Sequence, residues 1–427
     1  MKRRDMLKTT AALGLFLPGI SGLARGEDSP NERLNVALVG LGNQGGYQVN
    51  GLKSQNYVAL CDCDERMGGK VFEAYPDAKK YFDYRKMFDE MANQIDAVAV
   101  STPDHSHFHP AFTALSLNKH LYLEKPMAHS VSECRILTEL AREKKRATQL
   151  GMQRHANPGM RRIVEAVKSG VIGDVTDVYV WINSSRGMPE PLPFEPAPEG
   201  VHWDVWVGPA PFREFSSGLC PYKWRFWWDY GTGETGNWCC HNMDMAFWAL
   251  DLTYPEFVSA TGPERDAERT PQALESVLKF PAHGNRKAVT MHWGQGMPEY
   301  AKNFARESGL KLGNTLFVGT RGTLSCDYSR FDLWPSDTFS QWQAPEPTIP
   351  NSPGFHREWI DACKGGTPAS CNFDYSGKIA EAGLLANAAY RIGAKEGIRW
   401  NAETLRSPDT TEIDAYTYPT YRKGWEI

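Results

Sequence analysis

Gly40-Leu41-Gly42-Asn43-Gln44-Gly45 places glycines at the first, third and sixth positions of a short turn. Bare backbone there lets a pyrophosphate approach closely, and the N-terminus of a following helix favours its negative charge. Asp62 stands about 20 residues further on, the spacing at which an acidic side chain meets the adenosine ribose of a dinucleotide. Its carboxylate would accept ribose hydroxyls and repel a 2′-phosphate, which selects NAD over NADP. Ser101-Thr102-Pro103-Asp104-His105-Ser106-His107 and Glu124-Lys125-Pro126 each follow an apolar run, at the strand ends where open α/β sheets bind ligands. His105, His107 and His109 alternate, which invites a metal, but no acidic or thiolate cluster is placed to complete a shell. The expectation is therefore no metal. Thr102, Pro103, His107 and Glu124 join Gly40, Gly42, Asn43, Gln44, Gly45 and Asp62 as expected contacts of NAD, while Lys125, taken by itself, also reads as a solvated lysine before a turn.

To bring these stretches to one edge, the chain must supply short strands that end at each of them. LNVALV (34–39), NYVALCD (56–62), IDAVAVS (95–101), HLYLEK (120–125) and TQLGM (148–152) are such strands. Helical stretches near 84–92, 110–118 and 130–145 alternate with them, the last opening on a Ser130/Glu133 capping box. Alternating strand and helix predicts a parallel sheet covered on both faces, an α/β fold. After residue 152 the rhythm changes. NPGMRRIVEAVKSG predicts a helix and VTDVYVWIN an alternating strand, with further strands at 275–280, 287–293, 314–318 and 322–327. These predict an open, mostly antiparallel sheet. Proline-rich stretches at 187–211 and 334–353 are expected as lids or surface arms, and KIAEAGLLANAAYRIGAK as a late helix.

At 41% apolar and 23% charged residues, the chain has the balance of an ordinary globular protein, and its length favours two domains. A net charge of −4 with no sustained basic run argues against a nucleic-acid partner. Lys2-Arg3-Arg4-Asp5-Met6-Leu7-Lys8 followed by TTAALGLFLPGI resembles a twin-arginine signal, read by an export route that carries folded proteins. The apolar run from Thr9 to Ile20 is shorter than the about 20 residues of a membrane span. Cleavage after Gly22-Leu23-Ala24 would make residues 1–24 the signal. The expectation is a periplasmic protein that meets the twin-arginine machinery already folded, its nucleotide loaded in the cytoplasm. Folding in a reducing compartment also makes the nine cysteines small core residues rather than disulfides.

STPDHSH, EKP and the later run KWRFWWDYGTGETGNWCCHNMD together resemble the Gfo/Idh/MocA family, most closely a secreted bacterial branch. The resemblance implies a Rossmann domain over 33–152. It also implies an α/β domain over 153–427, whose sheet commonly makes a homo-oligomer, a dimer or tetramer. It implies hydride transfer at a carbon of a sugar or polyol, with the family lysine on Lys125 and the active-site histidine on His241. The family aspartate four residues earlier is replaced by Asn237, and Cys239 stands where glycine is frequent. An amide favours the charged form of a histidine less than a carboxylate does, so Asn237 is expected to leave His241 neutral and proton-accepting. Asp244 matches a later family aspartate, structural or catalytic. Trp224, Trp227, Trp228 and Tyr230, with Trp203 and Trp206 upstream, suit a sugar's C–H face and a core equally well. Asn183, Arg186, Trp203, Lys223 and Arg225 complete the candidate substrate contacts.

Free nicotinamide nucleotide is scarce outside the cytoplasm, so export implies a cofactor tightly bound and reoxidised in place. Two alternatives stay open. One is a redox-neutral, NAD-dependent glycoside hydrolase or lyase. The other is a non-catalytic nucleotide- or sugar-binding sensor, as the family's yeast galactose repressor implies.

Overall fold

Four apolar strands carry the chemical stretches to a common edge. β1 (Asn35–Val39), β2 (Asn56–Cys61), β3 (Lys79–Tyr81), β4 (Ala97–Val100), β5 (His120–Leu123) and β6 (Thr148–Leu150) form one parallel sheet in the order β3-β2-β1-β4-β5-β6. β1, β4 and β5 are almost continuously buried because helices cover both faces, so they read as apolar runs rather than alternating ones. β1 runs directly into Gly40, β2 into Asp62, β4 into Ser101 and β5 into Glu124. The strand order reverses between β1 and β4, the place where such sheets open a ligand crevice. The helix Val131–Lys144 starts at the expected capping box: Ser130 Oγ accepts the Glu133 N–H at 3.3 Å, and Glu133 Oε2 accepts the Ser130 N–H at 2.9 Å.

This computed structural model describes residues 33–427, and the expected export signal over residues 1–24 lies outside them. The second sheet contains β7 (Val175–Ile182), β8 (Phe257–Thr261), β9 (Glu275–Phe280), β10 (Val289–Gln295), β11 (Thr315–Gly319), β12 (Thr323–Cys326), β13 (Phe331–Trp334) and β14 (Ile398–Arg399). Its order is β13-β12-β11-β7-β10-β9-β8-β14. Every pair is antiparallel except the central one, β7 with β10, which runs parallel. The sheet is therefore mixed around its middle and antiparallel elsewhere.

Leu34–Ile427 pack as one unit, and a single apolar core runs through both sheets. The helix Phe373–Ile392 is buried nearly all round and lies against the helix Val131–Lys144 of the first sheet. The Arg135–Glu381 ion pair, at 2.8 Å, joins these two helices. The Leu150 N–H donates to the Cys371 carbonyl at 2.9 Å, tying β6 to the later half of the chain. All nine cysteines are free thiols and seven are buried, as small core residues are. Among the described residues no helix is long and apolar enough to cross a membrane.

Candidate active site

A cleft of about 320 Å³ runs along the C-terminal ends of β1, β2, β4 and β5. The glycine turn is its floor. Gly40 has φ +84°, and a Cβ there would lie 2.6 Å from the Ser101 carbonyl oxygen; a Cβ at Gly45 would lie 2.3 Å from the Gly40 oxygen. Neither place admits a larger residue, so the backbone stays bare where a pyrophosphate would lie. The helix Gln44–Gly51 begins at this turn. Ser101 Oγ is buried in the wall with no hydrogen-bond partner. Asp62 accepts the N–H of Leu41 at 2.8 Å and of Asp64 at 2.9 Å, which fixes its carboxylate and leaves lone pairs for a ribose. Turn, orphan hydroxyl and carboxylate together fit a dinucleotide.

Burial, partly offset by those backbone bonds, pushes the Asp62 pKa up to about 6. The folded apoprotein thus holds this proton more tightly than an unfolded chain does. The stabilisation is complete below about pH 4 and is lost as pH rises through about 6. Ribose hydroxyls need the ionised carboxylate, so NAD affinity of the apoprotein should weaken as pH falls below about 6. Asp62→Asn should bind NAD more weakly at neutral pH, lose that pH dependence and discriminate less against NADP. Isothermal titration of both nucleotides from about pH 5 to 8 measures this. An unchanged NAD-to-NADP preference in the variant would remove Asp62 from the ribose.

Glu124, 3% exposed at the end of β5, is ringed by neutral donors: Gln48 Nε2 at 2.6 Å, Gln153 Nε2 at 2.8 Å and Gln44 Nε2 at 3.3 Å. Burial pushes its pKa up against the pull of the Lys125 charge. Lys125 donates from Nζ to Asn237 Oδ1 at 2.8 Å. Burial first, then the Arg225 charge, lowers the lysine pKa, while Glu124 and Asp104 act the other way. Arg225 pairs with Asp104 at 3.1 Å and lies 4.3 Å from the Trp224 ring centre. Burial favours neutral Asp104, yet Arg225, His107 and the Thr232 hydroxyl outweigh it and hold the carboxyl below its usual range.

Asn237 and His241 lie four residues apart on the helix Gly233–Asn242. The Asn237 amide oxygen accepts from Lys125, a partner that the spacing did not show. His241 is held neutral, far below the usual histidine range, by burial first and then by the Lys125 and Arg154 charges. Its Nδ1 is buried without a partner, and the ring is not among the residues that line the cleft. Orphaned buried N–H groups are rarer than orphaned acceptors, so this pattern assigns the proton to Nε2 and makes His241 a donor. Asp244 is structural: it accepts His155 Nδ1 at 3.0 Å and the Tyr375 hydroxyl at 2.5 Å.

The 187–211 stretch continues into a strap over the nucleotide end of the cleft. Gly200 accepts the Glu65 N–H at 2.9 Å, the His202 N–H donates to Cys63 at 2.8 Å, and the His202 ring stacks on Phe82. Val205, Trp206, Gly208, Pro209, Tyr222 and Arg225 then line the cleft. Arg422 clasps the strap through Asp204 at 2.6 Å and the Gly208 carbonyl at 3.0 Å, and Trp425 closes one wall. Trp203, Trp206, Trp224, Trp227 and Tyr230 form one buried cluster that holds the strap in shape. Trp203 is therefore a prop and not a sugar contact: its indole N–H donates to the Arg213 carbonyl at 2.7 Å and its ring stacks on Trp206. Exposed Lys223 and Asn183 do not line the cleft. Arg186 is also outside it, paired at 2.7 Å with the fully buried Glu234 of the active-site helix. Sequence reasoning missed Glu234, Tyr222 and Trp425, whose roles depend on partners far along the chain.

The alternating histidines do not share a strand end. They occupy a 3₁₀ turn and the start of the helix Phe108–Ser116. His105 faces the Tyr230 and Trp206 carbonyls, His107 those of Pro126 and Thr102, and His109 that of Trp425. His107 and His109 line the cleft beside Thr102 and Pro103. Among the described residues no three His, Cys, Asp or Glu side chains converge to hold a metal ion.

Residues 34–152 match the family described as an oxidoreductase family with an NAD-binding Rossmann fold, and residues 159–276 match its C-terminal alpha/beta domain. Inositol 2-dehydrogenase of Salmonella paratyphi B is 26% identical over 163 residues, 37% of this chain and 48% of that enzyme. The inositol 2-dehydrogenase of Rubrobacter xylanophilus is 31% identical over 149 residues, 34% of this chain and 42% of that enzyme. The match thus spans about half the length of these relatives. Two solved structures share the fold: the WlbA dehydrogenase of Bordetella pertussis with NADH and UDP-GlcNAcA, and the aldose-aldose oxidoreductase of Caulobacter crescentus with glycerol. The first has a TM-score of 0.58 at 17% identity, the second 0.57 at 16%, and each comparison covers 86% of this chain and 99% of the other. The two family matches together cover more than half of the chain, which therefore belongs to the Gfo/Idh/MocA family of oxidoreductases.

Proposed function

We propose that the protein is a periplasmic, NAD-dependent oxidoreductase that moves a hydride at a hydroxyl-bearing carbon of a sugar or polyol and recycles its nucleotide in place. Lys125 carries this assignment: a buried amine of lowered pKa, aimed by Asn237, at the end of a dinucleotide cleft. Relatives named inositol 2-dehydrogenase and aldose-aldose oxidoreductase support a polyhydroxylated substrate.

NAD⁺ bound in the cleft supplies the hydride acceptor. The chain's own residues handle the proton and the charge. Lowered pKa leaves a neutral fraction of Lys125, which takes the substrate hydroxyl proton at Nζ. His241 donates from Nε2 to a substrate oxygen, and Asn237 keeps the amine pointed at the reacting carbon. Glu124 and Asp104 offset the positive charge that gathers around the lysine. The strap and the Arg422 clasp favour retention of the nucleotide, which a protein exported with its cofactor needs.

Purified protein should carry NAD through dialysis, released by denaturation and identified by mass spectrometry. A sugar and polyol panel should then reduce the bound cofactor at the reduced-nicotinamide band. Folded protein without nucleotide would remove the retained-cofactor part of the proposal. Loaded protein unresponsive to every sugar would favour the sensor, and glycoside cleavage with no net redox change in products would favour the hydrolase.

A further inference from the structure

The active-site helix is flanked by four cations, Lys125 among them, and three of the four have partners. Arg186 pairs with Glu234 at 2.7 Å, Arg225 with Asp104 at 3.1 Å, and Lys125 donates to Asn237. Arg154 differs. It is exposed and stands outside the lining of the dinucleotide cleft; its guanidinium makes no hydrogen bond or ion pair among the described residues and lies over two rings, 4.3 Å from the centre of Tyr328 and 5.5 Å from that of Trp238. Neighbouring carboxylates are already engaged, Glu124 by its three glutamine amides and Asp244 by His155 and Tyr375.

The platform beneath Arg154 is fixed. The Tyr328 hydroxyl donates to Asn242 Oδ1, at the end of the active-site helix, and Asn314 donates to the same hydroxyl at 3.4 Å. Trp238 also packs against His241, with ring centres 5.9 Å apart, and the Arg154 charge reaches that histidine. A guanidinium laid on aromatic faces keeps its planar fork of donors free at the edge. One further donor here, the indole N–H of Trp238, is buried without a partner.

We propose that the substrate carries a carboxylate, as a uronic or aldonic acid does, and that Arg154 receives it while the hydroxyl-bearing carbon faces Lys125. This rests on the sugar-oxidoreductase assignment above. One unpaired cation suits a monoanion; a phosphate dianion would call for more. The planar fork also matches a carboxylate with two parallel hydrogen bonds.

Wild type, Arg154→Met and Arg154→Lys are titrated with D-glucuronate, D-galacturonate, D-glucose, D-galactose and D-glucose 6-phosphate. Tryptophan fluorescence reads binding, and the reduced-nicotinamide band reads turnover. At least one uronate should bind wild type about 10-fold or more tightly than its neutral counterpart. That preference should vanish in Arg154→Met and return in part in Arg154→Lys, with KM changed far more than kcat. Equal binding of uronates and neutral sugars, a preference that survives in Arg154→Met, or no binding at all would overturn the proposal. Tightest binding of the phosphate would do so as well. Neutral sugars alone reducing the cofactor would overturn it while leaving the oxidoreductase assignment intact. Arg154-dependent uronate binding with no absorbance change would support it and remove that assignment instead.

Discussion

Lys125→Met will keep its nucleotide and lose about 10²–10⁴-fold in turnover, the range typical for removal of one positioned acid–base group. The nucleotide stays because the glycine turn, Ser101 and Asp62, which would hold it, come from other strand ends. Methionine follows the path of the lysine stem and keeps most of its packing, so the loss reports the amine. Glu124 loses its nearest cation in this variant, and its already raised pKa will rise further. Nucleotide occupancy by mass spectrometry, circular dichroism and steady-state turnover separate these effects. Near-wild-type turnover would reduce Lys125 to a counter-charge for Glu124.

Asn237→Asp will move the acidic limb of the pH–rate profile to higher pH by about one unit or more. The sign follows from the 2.8 Å bond between Lys125 Nζ and Asn237 Oδ1. A carboxylate at that oxygen favours the ammonium form, so the neutral amine appears only at higher pH. Each unit corresponds to about 1.4 kcal/mol and to about a tenfold loss of rate at a pH below the limb. His241→Ala should slow the reaction and leave the limb near its wild-type place. A limb that vanishes in His241→Ala would make His241 the base. A limb unmoved in Asn237→Asp would show that this amide does not govern the titrating group.

The nucleotide half of the site was legible because each of its strands runs straight into a residue pattern with a physical reason. Gly40, Asp62, Thr102 and Lys125 could be placed from the runs that precede them, and the capping box at Ser130 set a helix start. Two short strands were not legible. β3 and β14 carry too few side chains for any period, and their pairing partners define them. The parallel union of β7 with β10 depends on contacts between distant segments. The same holds for the strap: its prolines mark an irregular stretch, but nothing local says that residues 200–202 lie against 63–65. Asn237 shows what spacing alone leaves out, although His241 is neutral as expected. Spacing correctly put it one helical turn from His241, and a lysine 112 residues away took its oxygen.

The central pair of the second sheet sets a kinetic condition on all this. Tyr179 on β7 pairs with His292 on β10, and between them lie the strap, the active-site helix and two strands. A parallel ladder that joins distant segments gives back nothing until the long loop has closed, so such pairings form late and slowly. Until then β7 and β10 each present an unpaired edge, the surface through which folding intermediates aggregate. The segment that holds Asn237 and His241 is thus also the loop whose closure completes the sheet. Substitutions there act on the yield of folded chains as well as on turnover, and specific activity must be normalised to folded, nucleotide-loaded protein before either is compared.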